Sequence, residues 1–163
     1  MNTKQAISAT MATSSMVLNS YFGDLTDEEL MTRPGEGCNH LAWQLGHLIA
    51  SECMLLDMVA PGAAAELPEG FADQHSKEKV GDNNAANFSS KQEYLDLFEK
   101  VHAASLAALE KTTDADLDQP APEHFAQMFP TVGHIYILLA THGMMHAGQF
   151  VPVRRTLGKP VVI

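Results

Sequence analysis

Apolar side chains recur in steps of three and four along four stretches of this chain, the spacing that lines one face of an α-helix. In the first stretch Ile7, Met11, Ser14, Leu18 and Tyr21 share a face, which predicts a helix from about Lys4 to Phe22. A turn at Gly23-Asp24-Leu25-Thr26 follows, then a short capped piece, Thr26-Asp27-Glu28-Glu29, that ends before Pro34. The second helix is expected from Asn39, a good N-cap, to Ala60, where Pro61-Gly62 stops it. The third opens at Ser89 or Ser90 and runs to about Lys111, with Leu95, Phe98, Val101 or His102, Ser105 and Leu109 facing inward. The last spans Thr131 to Leu157 and ends at Gly158 and Pro160.

The connections carry topology. From Ala63 to Phe88 the chain is rich in Gly, Asn, Asp and Lys and has no sustained period, so it reads as a connection of 26 residues. A link that long can run the length of a helix, which predicts that the second and third helices point the same way. The expected architecture is all-α: one four-helix-bundle domain over residues 1–163 in up-down-down-up order. Another polar connection, Thr112 to Pro130, leads into the last helix.

Composition narrows the class. Apolar residues make up 45% of the 163, enough for a packed core, and aromatics only 7%, a balance that favours helix over sheet. No apolar run is long enough to cross a bilayer, and Met1-Asn2-Thr3-Lys4-Gln5 lacks the order of a signal peptide, so a cytoplasmic protein is expected. Twenty acids against ten bases leave a net charge of −10, which argues against nucleic acid or an anionic membrane as partner. The one basic cluster, Arg154, Arg155 and Lys159, would complement the C-terminal end of the last helix. Cys38 and Cys53 lie fifteen residues apart on or beside one helix and cannot bridge there, so both are expected as free thiols.

The chemistry is in the histidines. On the last helix Val132, Ile135, Leu139, His142, His146, Gln149 and Val153 alternate as a seam. Two imidazoles on an aliphatic seam are costly unless their nitrogens are bonded, and one metal ion satisfies both at once. If the second and last helices are antiparallel, Ala60 lies level with Pro130. His47, thirteen residues from Ala60, then falls level with residue 143, between His142 and His146. His40 falls about two turns away, near the rim. A triad of His47, His142 and His146 leaves a coordination position open, as catalytic sites do, and imidazole ligands suit zinc or nickel, with iron and cobalt as alternatives.

No residue is assigned a catalytic role from the sequence. Gly143 stands where a protease of the HExxH type has its glutamate, and any base would come from Glu52, Asp57 or His102. His134 lies on a neighbouring face, while His75 and His124 fall in connections and are expected in solvent. Trp43 is expected to pack, and Met144 and Met145 to serve the core or a subunit contact. Gln149 could hydrogen-bond a ligand.

Asn39-His40-Leu41-Ala42-Trp43-Gln44-Leu45-Gly46-His47-Leu48 is similar to the second-helix signature of the DinB/YfiT-like metalloenzyme superfamily. His142-Gly143-Met144-Met145-His146-Ala147-Gly148-Gln149, with Arg154-Arg155-Thr156-Leu157-Gly158-Lys159-Pro160 after it, resembles the last-helix signature of these DinB-like domain proteins. The likeness extends over nearly the whole chain in length, helix order and the long connection. It implies an up-down-down-up bundle holding a divalent metal on His47, His142 and His146, and a homodimer. Members with an assigned activity are thiol-dependent S-transferases using bacillithiol, mycothiol or glutathione, or maleylpyruvate isomerases. The resemblance therefore implies a small-molecule substrate and a low-molecular-weight thiol co-substrate. A metal-dependent hydrolase and a non-catalytic metal-binding bundle are the competing readings.

Overall fold

The structure, a computed structural model, describes residues 1–161. Four long helices dominate: α1 (Thr3–Phe22), α3 (Leu41–Val59), α5 (Lys91–Lys111) and α8 (Val132–Thr156). Single-turn helices α2 (Asp27–Leu30), α4 (Phe71–Gln74), α6 (Asp114–Leu117) and α7 (Glu123–Ala126) sit in the connections. Among the described residues the β structure is one isolated bridge, Pro120 to Thr131, and no helix is long and apolar enough to cross a membrane.

The helix starts follow local chemistry. Asn2, Thr26, Ser90 and Thr113 each accept a bond from the N3 backbone N–H, while the N3 side chain bonds back to the cap. At α3 the expected cap, Asn39, is displaced by one residue. The His40 Nδ1 accepts from the Trp43 N–H at 3.0 Å, and its Nε2–H donates to the Asp82 carbonyl at 3.0 Å. His40 is thus a buried structural cap at the N-terminal end of α3.

Polar contacts at the helix ends fix relative directions. Lys4, at the start of α1, donates to the carbonyl of Glu110 near the end of α5, and Lys91 at the start of α5 donates to that of Gly23 after α1. These two helices therefore run antiparallel. The most extensive pairing is α1 with α8. At Gly143 the two helices lie close, since a Cβ there would come within 3.1 Å of Ser14 Oγ. Arg154 near the end of α8 donates to the Tyr21 carbonyl near the end of α1, so this pair is parallel.

The basic cluster is more than a helix-end complement. Arg154 is buried, donates to the Pro160 carbonyl and forms an ion pair with Asp24. Arg155, the other basic residue of the last turn, is exposed.

Hydrophobic side chains gather in two clusters, one toward each end of the bundle. The first joins Leu18, Phe22, Leu45, Ile49, Phe98, Val101 and Phe150, and the second joins Met11, Leu55, Leu56, Leu109, Tyr136 and Leu139. Each such side chain contributes about 1.5–3 kcal/mol through burial. On α1, α5 and α8 the switch from one cluster to the other falls at polar residues, Ser14, His102 with Ser105, and His142 with His146, and on α3 it falls just after Glu52, between Cys53 and Leu55. A polar layer therefore crosses the middle of the bundle.

The seam of α8 differs from the strict three-four alternation. Gln149 is exposed, and Ala147, Phe150 and Val153 are buried instead. A straight helix turns once per 3.6 residues and drifts from a seven-residue repeat, which moves the inner face by one position over its length. Met144 and Met145 are exposed too, so they are not core residues.

Candidate metal centre

α3 and α8 bring His47, His142 and His146 together. The ring of His47 lies 5.4 Å from that of His142 and 5.5 Å from that of His146, centroid to centroid. One nitrogen from each of the three lies within 4.8 Å of the others. Tetrahedral zinc, with Zn–N near 2.0–2.1 Å, wants nitrogens about 3.3 Å apart, a spacing inside that limit. His142 and His146 reach the same point because they stand one turn apart on one helix.

The donor chemistry fits a divalent cation. Burial holds all three imidazoles below their ordinary pKa: His47 is lowered, His142 is pushed down to about 4 and His146 to about 3. Mutual repulsion among the rings, and Lys77 near His47, add to the effect. At neutral pH each ring is uncharged, with a lone pair to offer.

Two further side chains hold the rings in place. Gln44 is fully buried; its Oε1 accepts from His146 Nδ1 at 3.1 Å, and its Nε2 donates to the Asn39 carbonyl at 2.8 Å. The second bond fixes which end of the amide faces His146, so Nδ1 carries the proton and Nε2 keeps its lone pair. Trp43 stacks on His47 with centroids 4.9 Å apart and an interplanar angle of 7°. Its own Nε1–H donates to the Ser76 carbonyl at 3.1 Å, which ties the connection after α3 to the site. Gln44 was not singled out from the sequence. Its signal was there: one polar residue inside the apolar run Leu41-Ala42-Trp43-Gln44-Leu45, a single turn before His47.

Gln44→Leu is expected to keep the fold and weaken metal binding by roughly 10–100-fold, the usual cost of losing a hydrogen-bonding partner behind a ligand histidine. Competition against a calibrated chelator measures it. Unchanged affinity would show that the amide does not orient His146.

The remaining candidates separate. His102 Nδ1 approaches Glu52 Oε1 at 3.3 Å in the middle layer, and both line a small cavity together with His142. Asp57 is exposed and accepts from the Gly62 N–H, a turn-forming role away from the histidines. His134 is exposed and bonded to Thr131, and His124 is exposed.

His75 corrects the expectation of a solvated residue. It is buried, with Nδ1 bonded to the Phe71 carbonyl at 2.7 Å and Nε2 to the Tyr94 hydroxyl at 2.8 Å. The polar chain around it hides this, because its partners come from Phe71 and from α5. Both cysteines are free; Cys38 is exposed, while burial raises the Cys53 thiol to about 11.

A superposable fold occurs in YfiT from Bacillus subtilis, described as a probable metal-dependent hydrolase with an unusual four-helix bundle topology. The two are 18% identical with a TM-score of 0.63, over 96% of this chain and 89% of that one. No curated protein matches the sequence. The family model of the DinB superfamily matches residues 11–150, and the chain belongs to that superfamily.

Proposed function

We propose that this chain is a metal-dependent enzyme that binds a divalent ion, zinc or nickel, on His47, His142 and His146. The observation that carries the reading is the convergence of three neutral imidazoles from two helices, one of them oriented by a buried amide. A divalent metal there supplies Lewis acidity, which lets a bound thiol or water give up its proton near neutral pH. The chain's own contribution is to hold the three rings neutral, each with a lone pair to offer.

The favoured reaction is S-transfer: the sulfur of a low-molecular-weight thiol bonds to an electrophilic carbon of a small molecule. The group leaving that carbon takes the electron pair, or, in an addition, the pair of the broken bond moves to the neighbouring atom, which gains the proton. No carboxylate joins the cluster of candidate ligands among the described residues, which suits a nucleophile that needs no separate base once its proton is lost. Hydrolysis, the chemistry suggested for YfiT, is the second reading. It is favoured by the Glu52–His102 pair, which lines a cavity shared with His142.

The same reading includes a homodimer, supported by the exposed apolar residues Ile137, Met144 and Met145 at helical spacing on α8. It includes the up-down-down-up order, supported by the end contacts of α1 with α5 and α8, and a cytoplasmic setting, supported by two free cysteines.

Metal analysis of protein purified without supplementation should find about one divalent ion per chain. A panel of bacillithiol, mycothiol and glutathione against electrophilic acceptors should then give conjugates in the loaded protein only. Ester or amide cleavage without thiol would select the hydrolase, and absence of metal would remove both.

A further inference from the structure

Native proteins leave few buried polar atoms unbonded, and those that remain call for an explanation such as water. Here Asn19 Oδ1, Glu52 Oε1, His102 Nε2 and Ser105 Oγ are shielded from solvent without a hydrogen-bond partner in the protein. Three of the four lie in the middle layer, where the two apolar clusters part. Glu52 and His102 approach at 3.3 Å but are not aligned as a hydrogen bond, so neither satisfies the other.

Beside this pair is a cavity of about 20 Å³, walled by Ser14, Ser15, Glu52, Phe98, His102 and His142 among others. One water needs about 10–15 Å³ measured this way, and two to four polar partners, so the space suits a single water. On its outer side a groove of about 600 Å³ runs between α1 and α5. The groove and the cavity share Ser15, Phe98 and His102 as walls, and Asn19 lines the groove. Unbonded polar atoms therefore mark a line from the surface, past His102 and Glu52, to the candidate ligand His142.

We propose that water held by Glu52 and His102 fills this cavity and joins the α1–α5 groove to His142, giving the metal centre an internal water supply. The inference rests on the reading that the triad binds metal, but not on which nucleophile it activates. A purely structural Glu–His pair would account for neither the unbonded His102 Nε2 nor the space beside it.

His102→Phe tests the idea, because the His102 ring already stacks on Phe98 at 5.6 Å and 16°, and a phenyl ring keeps that packing while removing both nitrogens. Crystals of the unsubstituted protein, at a resolution that places waters, should show one within about 3 Å of Glu52 Oε1 or His102 Nε2. The same water should be lost in His102→Phe. In cobalt-loaded protein the variant should keep its metal and lose part of the solvent-proton relaxation enhancement. A dry cavity in the unsubstituted protein overturns the proposal, and so does a relaxation enhancement that His102→Phe leaves unchanged. Metal titration of the unsubstituted protein reports the centre separately: failure to load overturns the centre, whereas a dry cavity in loaded protein overturns the water path alone.

Discussion

His47→Ala, His142→Ala and His146→Ala are each expected to abolish stoichiometric metal binding and every metal-dependent turnover. Three ligands are the minimum for a tight site with an open position, and the two imidazoles that each variant retains hold an ion weakly. The loss should exceed the 10–100-fold typical of removing a partner behind a ligand. A thermal readout gives the size independently of activity. At free metal near a thousand times Kd, binding stabilises the native state by about 4 kcal/mol. For a chain of this length that corresponds to roughly 8–16 °C in Tm.

Unsubstituted protein should show that rise on adding metal, and the three variants should not. The metal-free variants should still fold, because each loses a ring whose burial without a bonded ion is itself costly. A single variant that retains full metal and turnover would show that its histidine is no ligand.

Much of this site was legible because helices are regular. Counting thirteen residues from Ala60 and from Pro130 set His47 level with His142 and His146, and the three rings do meet. The helix ends followed for the same reason: Ser90 caps α5, and α1 ends at Phe22, as their local chemistry directs.

What stayed hidden depends on partners far away in the chain. Arg154 looks like any cation in a last helical turn. Yet it stands one turn beyond Phe150 on the buried stripe, and that placement was the available sign of its ion pair with Asp24. His75 gave less warning, since the stretch around it is polar and without period. Only Gly46, a glycine in the middle of an apolar helix, hinted that something large must press against α3 there.

That close approach gives the clearest stability prediction. On helix propensity alone, alanine is better than glycine by about 1 kcal/mol inside a helix, so Gly46→Ala would be expected to stabilise. The packing reverses the sign. A Cβ on Gly46 would overlap the imidazole of His75, and that ring is not the loose end of a flexible side chain. It is buried and bonded on both sides, to Phe71 and to Tyr94.

Making room means breaking one or both bonds, at about 0.5–1.5 kcal/mol each, on top of the roughly 1–3 kcal/mol of forcing an extra methyl into a packed interior. After the helix-propensity gain is subtracted, the net expectation is a loss of about 0.5–5 kcal/mol, or roughly 1–20 °C in Tm. Metal affinity should fall as well, because the displaced backbone carries His47 on the next residue. Gly46→Ala with His75→Ala should be less damaging than the sum of the two, since the smaller side chain vacates the space the methyl needs. A Gly46→Ala protein as stable as the unsubstituted one, with unchanged metal affinity, would mean that His75 does not brace α3 beside the metal centre.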